Sequence, residues 1–398
     1  MILLREFEKL HLWSINLKKV SLEIRIYSKT KSHLMTQKGL VIAIIVLFTI
    51  GNVSANLKLK HQDLFVSWKM RYNKEYPTAL EEAIKYENFF DNYEFISDFN
   101  QENNGVQLAL NQFADMTPEE FSATFLGVKS ATETVGVNNS LLDDNNDIQF
   151  NLTANIDIEV QNNAEEEAKN FLGAAQKPIL GALAKSINWV TKGAVTSVKK
   201  QPCGNCWSYS ASAALEAYNF IKTGKLLYLS NQQLSDCVTT CSGCNGCGGV
   251  TQALSYTAKY GIERSVDYPS TSSGAGSCKY NSAKIVFKNQ GYKSVTPRSV
   301  SALKTALNVQ PVQIALQAND RVFQFYSSGV IKSGCGANLN HAILAVGYTT
   351  INGVEAFYVK NQWGTEWGIN GFGYISASPT ANNGYGVCGI LSMAAYPV

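Results

Sequence analysis

Histidine is scarce in this sequence, and cysteine is confined to its second half. Among 398 residues there are four histidines, His11, His33, His61 and His341, and only His341 lies beyond residue 61. A zinc centre takes about four ligands, so Cys203, Cys206 and His341 would still need a fourth from elsewhere. No cysteine precedes Cys203, and nine follow from there to Cys388. No dense Lys/Arg run is present, which argues against nucleic-acid binding. No apolar run reaches the roughly 20 residues of a membrane-spanning helix. From Leu183 onward 17 Lys/Arg face 7 Asp/Glu, whereas Asn56–Ala182 is acidic. The partner suited to the basic half is therefore the acidic half of the same chain.

The apolar run that is present, Leu40–Ile50, follows Lys38 and precedes Val53-Ser54-Ala55. Small residues at the last and third-last positions mark a secretory signal peptide cleaved after Ala55; an uncleaved anchor is the alternative. A signal peptide beginning at Met35 has ordinary proportions, so residues 1–34 read as an upstream extension that is not native and 35–55 as the signal. Secretion favours disulfides, and an odd cysteine count leaves one thiol unpaired if the rest bridge. The run Cys237-x3-Cys241-x2-Cys244-x2-Cys247 has metal-like spacing, but in an oxidising compartment bridges are the better reading.

Helix signals dominate the N-terminal half. His61–Asn73 has an apolar stripe at helical spacing. Thr78 and Glu81 form a capping box that opens a helix to about Asn100. Thr117, Pro118 and Glu120 repeat the signal, for a helix ending near Gly127. Residues 130–182 form an acidic linker, with glycosylation sequons at Asn138 and Asn151. A second globular segment starts near Leu183. Helices are expected over Cys206–Lys222, after Ser230, and over Thr251–Tyr260. Strands are expected at Val312–Leu316, Ala342–Tyr348, Ala356–Val359 and Gly373–Ser376. Helices followed by strands predict an α+β domain with two lobes.

Cys203-Gly-Asn-Cys206-Trp could serve as a redox dithiol, half a metal site, or a nucleophile beside a structural cysteine. No βαβ unit precedes it, which disfavours redox. Cys206 opens a predicted helix, whose N-terminus favours a thiolate. His341 sits at the mouth of an apolar strand, where a polar residue needs a reason. Asn361 ends the next strand and could hold the imidazole tautomer.

These residues, with His341 135 positions after Cys206 and Asn361-Gln-Trp363-Gly 20 positions later, resemble the papain/cathepsin cysteine proteases. The resemblance runs from about Trp68 to Val398. Segments such as AKSINWVTKGAVTSVKKQ, LSNQQLSDC and NGYGVCGI match in order. Glu81, Lys85, Phe89, Asn92, Ile96 and Asn100 are similar to the helical pattern of a cathepsin L-type propeptide, with Lys in place of Arg, and share one helix face. Ala109, Asn111, Phe113 and Asp115 resemble its G-x-N-x-F-x-D motif.

The resemblance implies a papain-like fold, a helical lobe and a β-barrel-like lobe with a cleft between them. It implies an inhibitory propeptide over 56–129, an activation segment over 130–182 and a mature domain over 183–398. Cys206 is the expected nucleophile, His341 its base, Asn361 the ring's orienting partner, and Gln201 an oxyanion donor with the Cys206 N–H. Trp363 is expected to shield the His–Asn bond beside the substrate. Ala315, Leu339, Ala342 and Met393 match an apolar pocket for the substrate's P2 side chain. The implied disulfides join Cys203 to Cys244 or Cys247, Cys241 to the one remaining, Cys237 to Cys278, and Cys335 to Cys388, leaving Cys206 free. No cofactor or metal is implied. Protein and peptide substrates, the chain's own propeptide and cystatin-like inhibitors are the implied partners. The expected location is the secretory pathway, ending in an acidic lysosome-like compartment or outside the cell.

Three departures stand out. Only Pro202 separates Gln201 from Cys203, where the family has two residues. Asn205 replaces a small residue, and CSGCNGCGG disturbs the family's G-C-x-G-G stretch. The first leaves an alternative, an inactive papain-like homologue acting as a binding protein.

Overall fold

The structure, a computed structural model, describes residues 61–102, 105–129 and 183–398. The upstream extension, the signal peptide, the acidic segment 130–182 and both sequons lie outside the described residues. The chain divides into two compact units between Ala79 and Leu80.

In the first unit, residues 61–72 are helical. The apolar stripe is aromatic: Phe65 stacks on Trp68 at 5.9 Å and on Tyr76 at 6.3 Å between ring centroids. Lys69 lies over the Tyr76 ring at 5.3 Å.

The second unit opens with α1 (Ala79–Gln101), which buries Phe89, Asn92 and Ile96 on one face. The polar members of that face tie down the segment that follows. Asn92 Nδ2 donates to the Ala114 and Met116 carbonyls, each at 2.9 Å. Asn100 exchanges two hydrogen bonds with the Leu108 backbone, also at 2.9 Å. Lys85 meets the Glu120 carboxylate at 2.8 Å. These contacts fold β1 (Val106–Leu108), a turn, and α2 (Pro118–Phe125) back onto α1. Thr117 and Glu120 close a complete capping box at α2. Asn111, Phe113 and Asp115 lie beyond the end of β1, around that turn.

The segment from Leu183 begins with β2 (Ile187–Asn188). Its central helix, α3 (Cys206–Thr223), is buried around most of its circumference. Small side chains allow this, and the hydroxyls of Ser208, Ser210 and Ser212 bond back to carbonyls three residues earlier, which satisfies them in the core. The helix stops at Gly224, whose φ of 71° is the left-handed cap conformation. Ser230 caps α4 (Asn231–Cys237) through the Gln233 N–H. Next come α5 (Gln252–Tyr260), β3 (Ile262–Glu263) and β4 (Ile285–Phe287), the two strands forming a small antiparallel sheet.

The remaining chain supplies β5 (Tyr292–Ser294), α6 (Val300–Val309), β6 (Val312–Leu316), α7 (Arg321–Gln324), β7 (Tyr326–Ile331), β8 (His341–Ile351), β9 (Val354–Lys360), β10 (Phe372–Ser376) and β11 (Met393–Pro397). Among the described residues these strands form one sheet in the order β1-β7-β10-β9-β8-β6-β11-β5, with β2 on β8. The expected strand at Val312–Leu316 is β6, and the other three expected strands run slightly longer than anticipated. β1 comes from the N-terminal arm and adds antiparallel to β7, with Val106 opposite Gly329. The arm therefore completes an exposed sheet edge by main-chain pairing.

The disulfides are Cys203–Cys244, Cys237–Cys278, Cys241–Cys247 and Cys335–Cys388, and Cys206 is the free cysteine. Among the described residues, no cluster of His, Cys, Asp or Glu could hold a metal ion, and no helix is long and apolar enough to cross a membrane.

Candidate active site

Two elements carry the site. Cys206 is the first residue of α3, buried, next to a chain reversal held by the Cys203–Cys244 bridge. His341 is the first residue of β8, and Asn361 follows the last residue of β9. The β8–β9 pair is antiparallel, with Leu344 opposite Lys360. Residues 20 apart in sequence therefore arrive at the same end of the hairpin. His341 lies opposite Leu316 of β6, and Ala342 beside it shares a buried cluster with Cys206. That packing joins the helix to the sheet at the site.

The imidazole is held on one edge and one face. Its Nε2 hydrogen-bonds Asn361 Oδ1 at 3.0 Å. Asn361 Oδ1 also accepts from the Gln362 N–H at 2.9 Å, which fixes the amide's orientation. Trp363 stacks on the ring, with centroids 4.5 Å apart and planes 26° from parallel. With Nε2 committed to Asn361, the buried Nδ1 has no hydrogen-bond partner in the protein. It is the nitrogen left to exchange a proton with a neighbour.

The N-terminal arm covers all of this. Phe113 and Phe121 pack edge-on against Trp363 at 5.5 and 5.1 Å. Gln112 Nε2 donates to the Trp363 carbonyl at 2.6 Å, and Asn111 Nδ2 to that of Gln324 at 2.7 Å. After α2 the chain passes over Cys206. The Phe125 carbonyl accepts from Gln201 Nε2 at 2.8 Å. The Gly127 backbone helps to pull the Cys206 thiol down against burial. Val128 N–H donates to the Asn340 carbonyl at 2.9 Å. Gly127 and Lys129 exchange backbone bonds with Cys247, at 2.7 and 2.9 Å.

Gly127 is required sterically. A Cβ on it would run into the Gly204 carbonyl, and Gly246 closes in from the other side. The Val128 side chain packs in one cluster with Cys206, Ala315, Ala342 and Cys247, with Leu339 and Met393 against its edge. The four residues assigned to the P2 pocket therefore lie together beside Cys206.

Burial under the arm acts on both groups. It pushes the Cys206 thiol up to about 11, against the backbone N–H donors that pull the other way. It pushes His341 down to about 4, opposed by the Asn361 hydrogen bond. Burial thus works against the charged form of each group while the arm is in place.

The structure brings Cys206, His341, Asn361, Trp363 and Gln201 into one buried assembly. Sequence reasoning missed several of its members. Gln362 bonds the Ala342 carbonyl at 2.7 Å, and Phe125, Gly127 and Cys247 occupy or border the cleft. Gly127 was legible only as a helix stop; nothing local signals that it reaches Cys206.

Comparison with known proteins agrees with this arrangement. Residues 183–398 match the family described as papain family cysteine protease, and residues 65–121 match the cathepsin propeptide inhibitor domain. Cysteine protease XCP2 of Arabidopsis thaliana is 35% identical over 84% of this chain and 85% of its own. Caricain of Carica papaya is 35% identical over 84% and 86%. The proform of the ragweed pollen cysteine protease Amb a 11 superposes with a TM-score of 0.68 at 28% identity, covering 85% of this chain and 94% of its own. Two matched domains, with the chain just after the inhibitor domain lying beside the one free thiol of the described residues, identify the chain as a member of the papain family of cysteine proteases, carrying a cathepsin-type propeptide inhibitor domain.

Proposed function

We propose that Cys206 is the nucleophile of peptide-bond hydrolysis and that residues 125–129 hold the intact chain inactive by occupying its cleft. With the arm removed, water and substrate reach the pair, and a proton passes from Cys206 Sγ to His341 Nδ1. The thiolate attacks the scissile carbonyl carbon, forming a C–S bond and an oxyanion. Gln201 Nε2 and the Cys206 N–H donate to that oxygen. His341 returns its proton to the leaving amine as the C–N bond breaks. It then takes one from water, which cleaves the thioester and frees the acid and the thiol. Asn361 holds the ring's tautomer throughout, and Trp363 keeps water off their hydrogen bond.

The observation that carries this reading is the Phe125 carbonyl on Gln201 Nε2, at 2.8 Å. A peptide carbonyl already sits on the proposed oxyanion donor. The shortened Gln201-Pro202-Cys203 link still aims that amide into the cleft, because Nε2 also donates to the Cys203 carbonyl, at 2.6 Å. This favours turnover over a binding-only homologue. Val128 in the apolar cluster supports a preference for apolar P2 residues. The signal-peptide pattern ending at Ala55 and the four disulfides support synthesis in the secretory pathway and work in an acidic compartment or outside the cell, and the sequons support glycosylation at Asn138 and Asn151. Cystatin-like inhibitors would compete for the cleft that the arm now fills.

The test is hydrolysis of a peptide with leucine or valine at P2 by the chain cleaved within 130–182. Turnover abolished by Cys206→Ala is expected. A cleaved chain that keeps a reduced Cys206 and hydrolyses no peptide would sink the reading.

A further inference from the structure

Three of the four disulfides close loops of 41, 41 and 53 residues, but Cys241–Cys247 spans only 6. Long loops restrict the unfolded chain most, so the short bridge contributes least to holding the fold together. Its position is what sets it apart. Both backbone groups of Cys247 bond the chain lying in the cleft: its N–H donates to the Gly127 carbonyl and its carbonyl accepts from the Lys129 N–H, at 2.7 and 2.9 Å. Val128, between those two, pairs with Cys247 in a parallel bridge. Cys247 is buried in the cluster around Val128, and Cys241 is partly buried at its edge. The six-residue loop contains Gly243 and Gly246 at φ of 54° and 96°. Glycine reaches such angles freely and leaves them as freely. The Cys241–Cys247 bridge closes this turn at its base, while Cys203–Cys244 holds its middle.

We propose that the Cys241–Cys247 disulfide holds the edge on which peptide substrates pair, so that opening it weakens peptide binding while leaving the nucleophile intact. The inference rests on the proteolytic reading of Cys206. It gives the enzyme two opposite redox demands: Cys206 works only as a thiol, and the Cys247 edge is fixed only as a disulfide. A dithiol reductant breaks the S–S bond, delivering two electrons and two protons. Cys241 and Cys247 become thiols and the dithiol becomes a cyclic disulfide. Cys247 acts here as a positioning residue, through its own backbone.

The test uses the full chain after cleavage within 130–182, with its active fraction titrated by a thiol-directed epoxide. Samples are equilibrated across ratios of reduced to oxidised dithiothreitol, and each open bridge is mapped by alkylation and mass spectrometry. Peptide KM is read against the fraction of Cys241–Cys247 opened, with the other three bridges followed alongside. As Cys241–Cys247 opens, KM for a peptide with an apolar P2 residue and a P3 residue should rise about tenfold, the scale of one or two lost backbone hydrogen bonds. Its kcat should stay within about twofold, and KM for a single-residue ester should not move. A Cys241→Ser/Cys247→Ser double variant should show the raised KM at every ratio. If that variant does not fold, the wild-type series decides alone. The inference is overturned if peptide KM is unchanged once the bridge is open, or if the ester is affected equally. A missing epoxide-labelled fraction in every sample would instead remove the proteolytic reading, and this inference with it.

Discussion

The Cys247 backbone N–H donates to the Gly127 carbonyl at 2.7 Å. Two residues 120 positions apart thereby seat the N-terminal arm beside Cys206 through backbone alone. The contact is close because Gly127, Gly204 and Gly246 together present bare backbone at the crossing.

Gly127→Ala should release the uncleaved chain from inhibition. The added Cβ meets the Gly204 backbone, which cannot swing aside, and overpacking of this kind costs about 1–3 kcal/mol. Peptidase activity of the uncleaved variant should exceed that of the uncleaved wild type by about tenfold or more. Leu126→Ala serves as the control for a general weakening of the arm. Equal latency in the Gly127 variant and the wild type would show that the crossing is looser than described.

Acid should open the covered state, and His341 gives the sign. In a Cys206→Ser chain, with no thiol to share the proton, the ring sits near 4 under the arm and returns to about 6.5 once exposed. The covered state therefore binds fewer protons and loses ground as pH falls below about 6.5, by about 3 kcal/mol at pH 4. Processing of a Cys206→Ser chain by added cleaved wild type should be at least tenfold faster at pH 4.5 than at pH 7, after correction for the added enzyme's own pH profile. Equal corrected rates would contradict this.

Asn361→Ala removes the hydrogen bond on His341 Nε2. Hydrogen bonds to a charged group are worth about 1.5–3 kcal/mol, so kcat/KM should fall by about 10- to 150-fold. The acidic and basic limits of the pH–rate profile should also move closer together, because the imidazolium loses a stabilising partner. An unchanged profile alongside a lower rate would indicate a structural effect only.

Val128 belongs to the same buried cluster as Ala315 and Ala342, with Leu339 and Met393 packed against it. Profiling the cleaved chain on a peptide library should place leucine and valine at P2 ahead of arginine by about tenfold or more, the order of the penalty for burying an unpaired charge. A preference for arginine there would overturn the pocket assignment.

The residues proposed to carry the chemistry were readable because each breaks a local pattern. His341 opens an apolar strand, Asn361 follows the end of another, and Cys206 is the thiol left over from an odd count. The capping box at Thr117 and the Gly224 stop were readable because helix ends have fixed local chemistry. β7 (Tyr326–Ile331) and β11 (Met393–Pro397) were not, because their serines, glycine, alanines and proline carry little β signal; their partners supply it. β1, at three residues, is too short for any periodicity. The choice between Cys244 and Cys247 for Cys203 was beyond local reading, since both stand beside the same loop. The docking of the arm depends on contacts between residues up to 251 positions apart, as with Gln112 and Trp363, which no window of sequence contains.

The most direct test is labelling of Cys206 by a thiol-directed epoxide in the full chain at pH 7, before and after cleavage within 130–182. Covered, the thiol should not label in the intact chain; uncovered and paired with His341, it should label to one equivalent, with loss of peptidase activity in proportion. Full labelling of the intact chain, or none after cleavage, would contradict the account of an enzyme held silent by its own N-terminal arm.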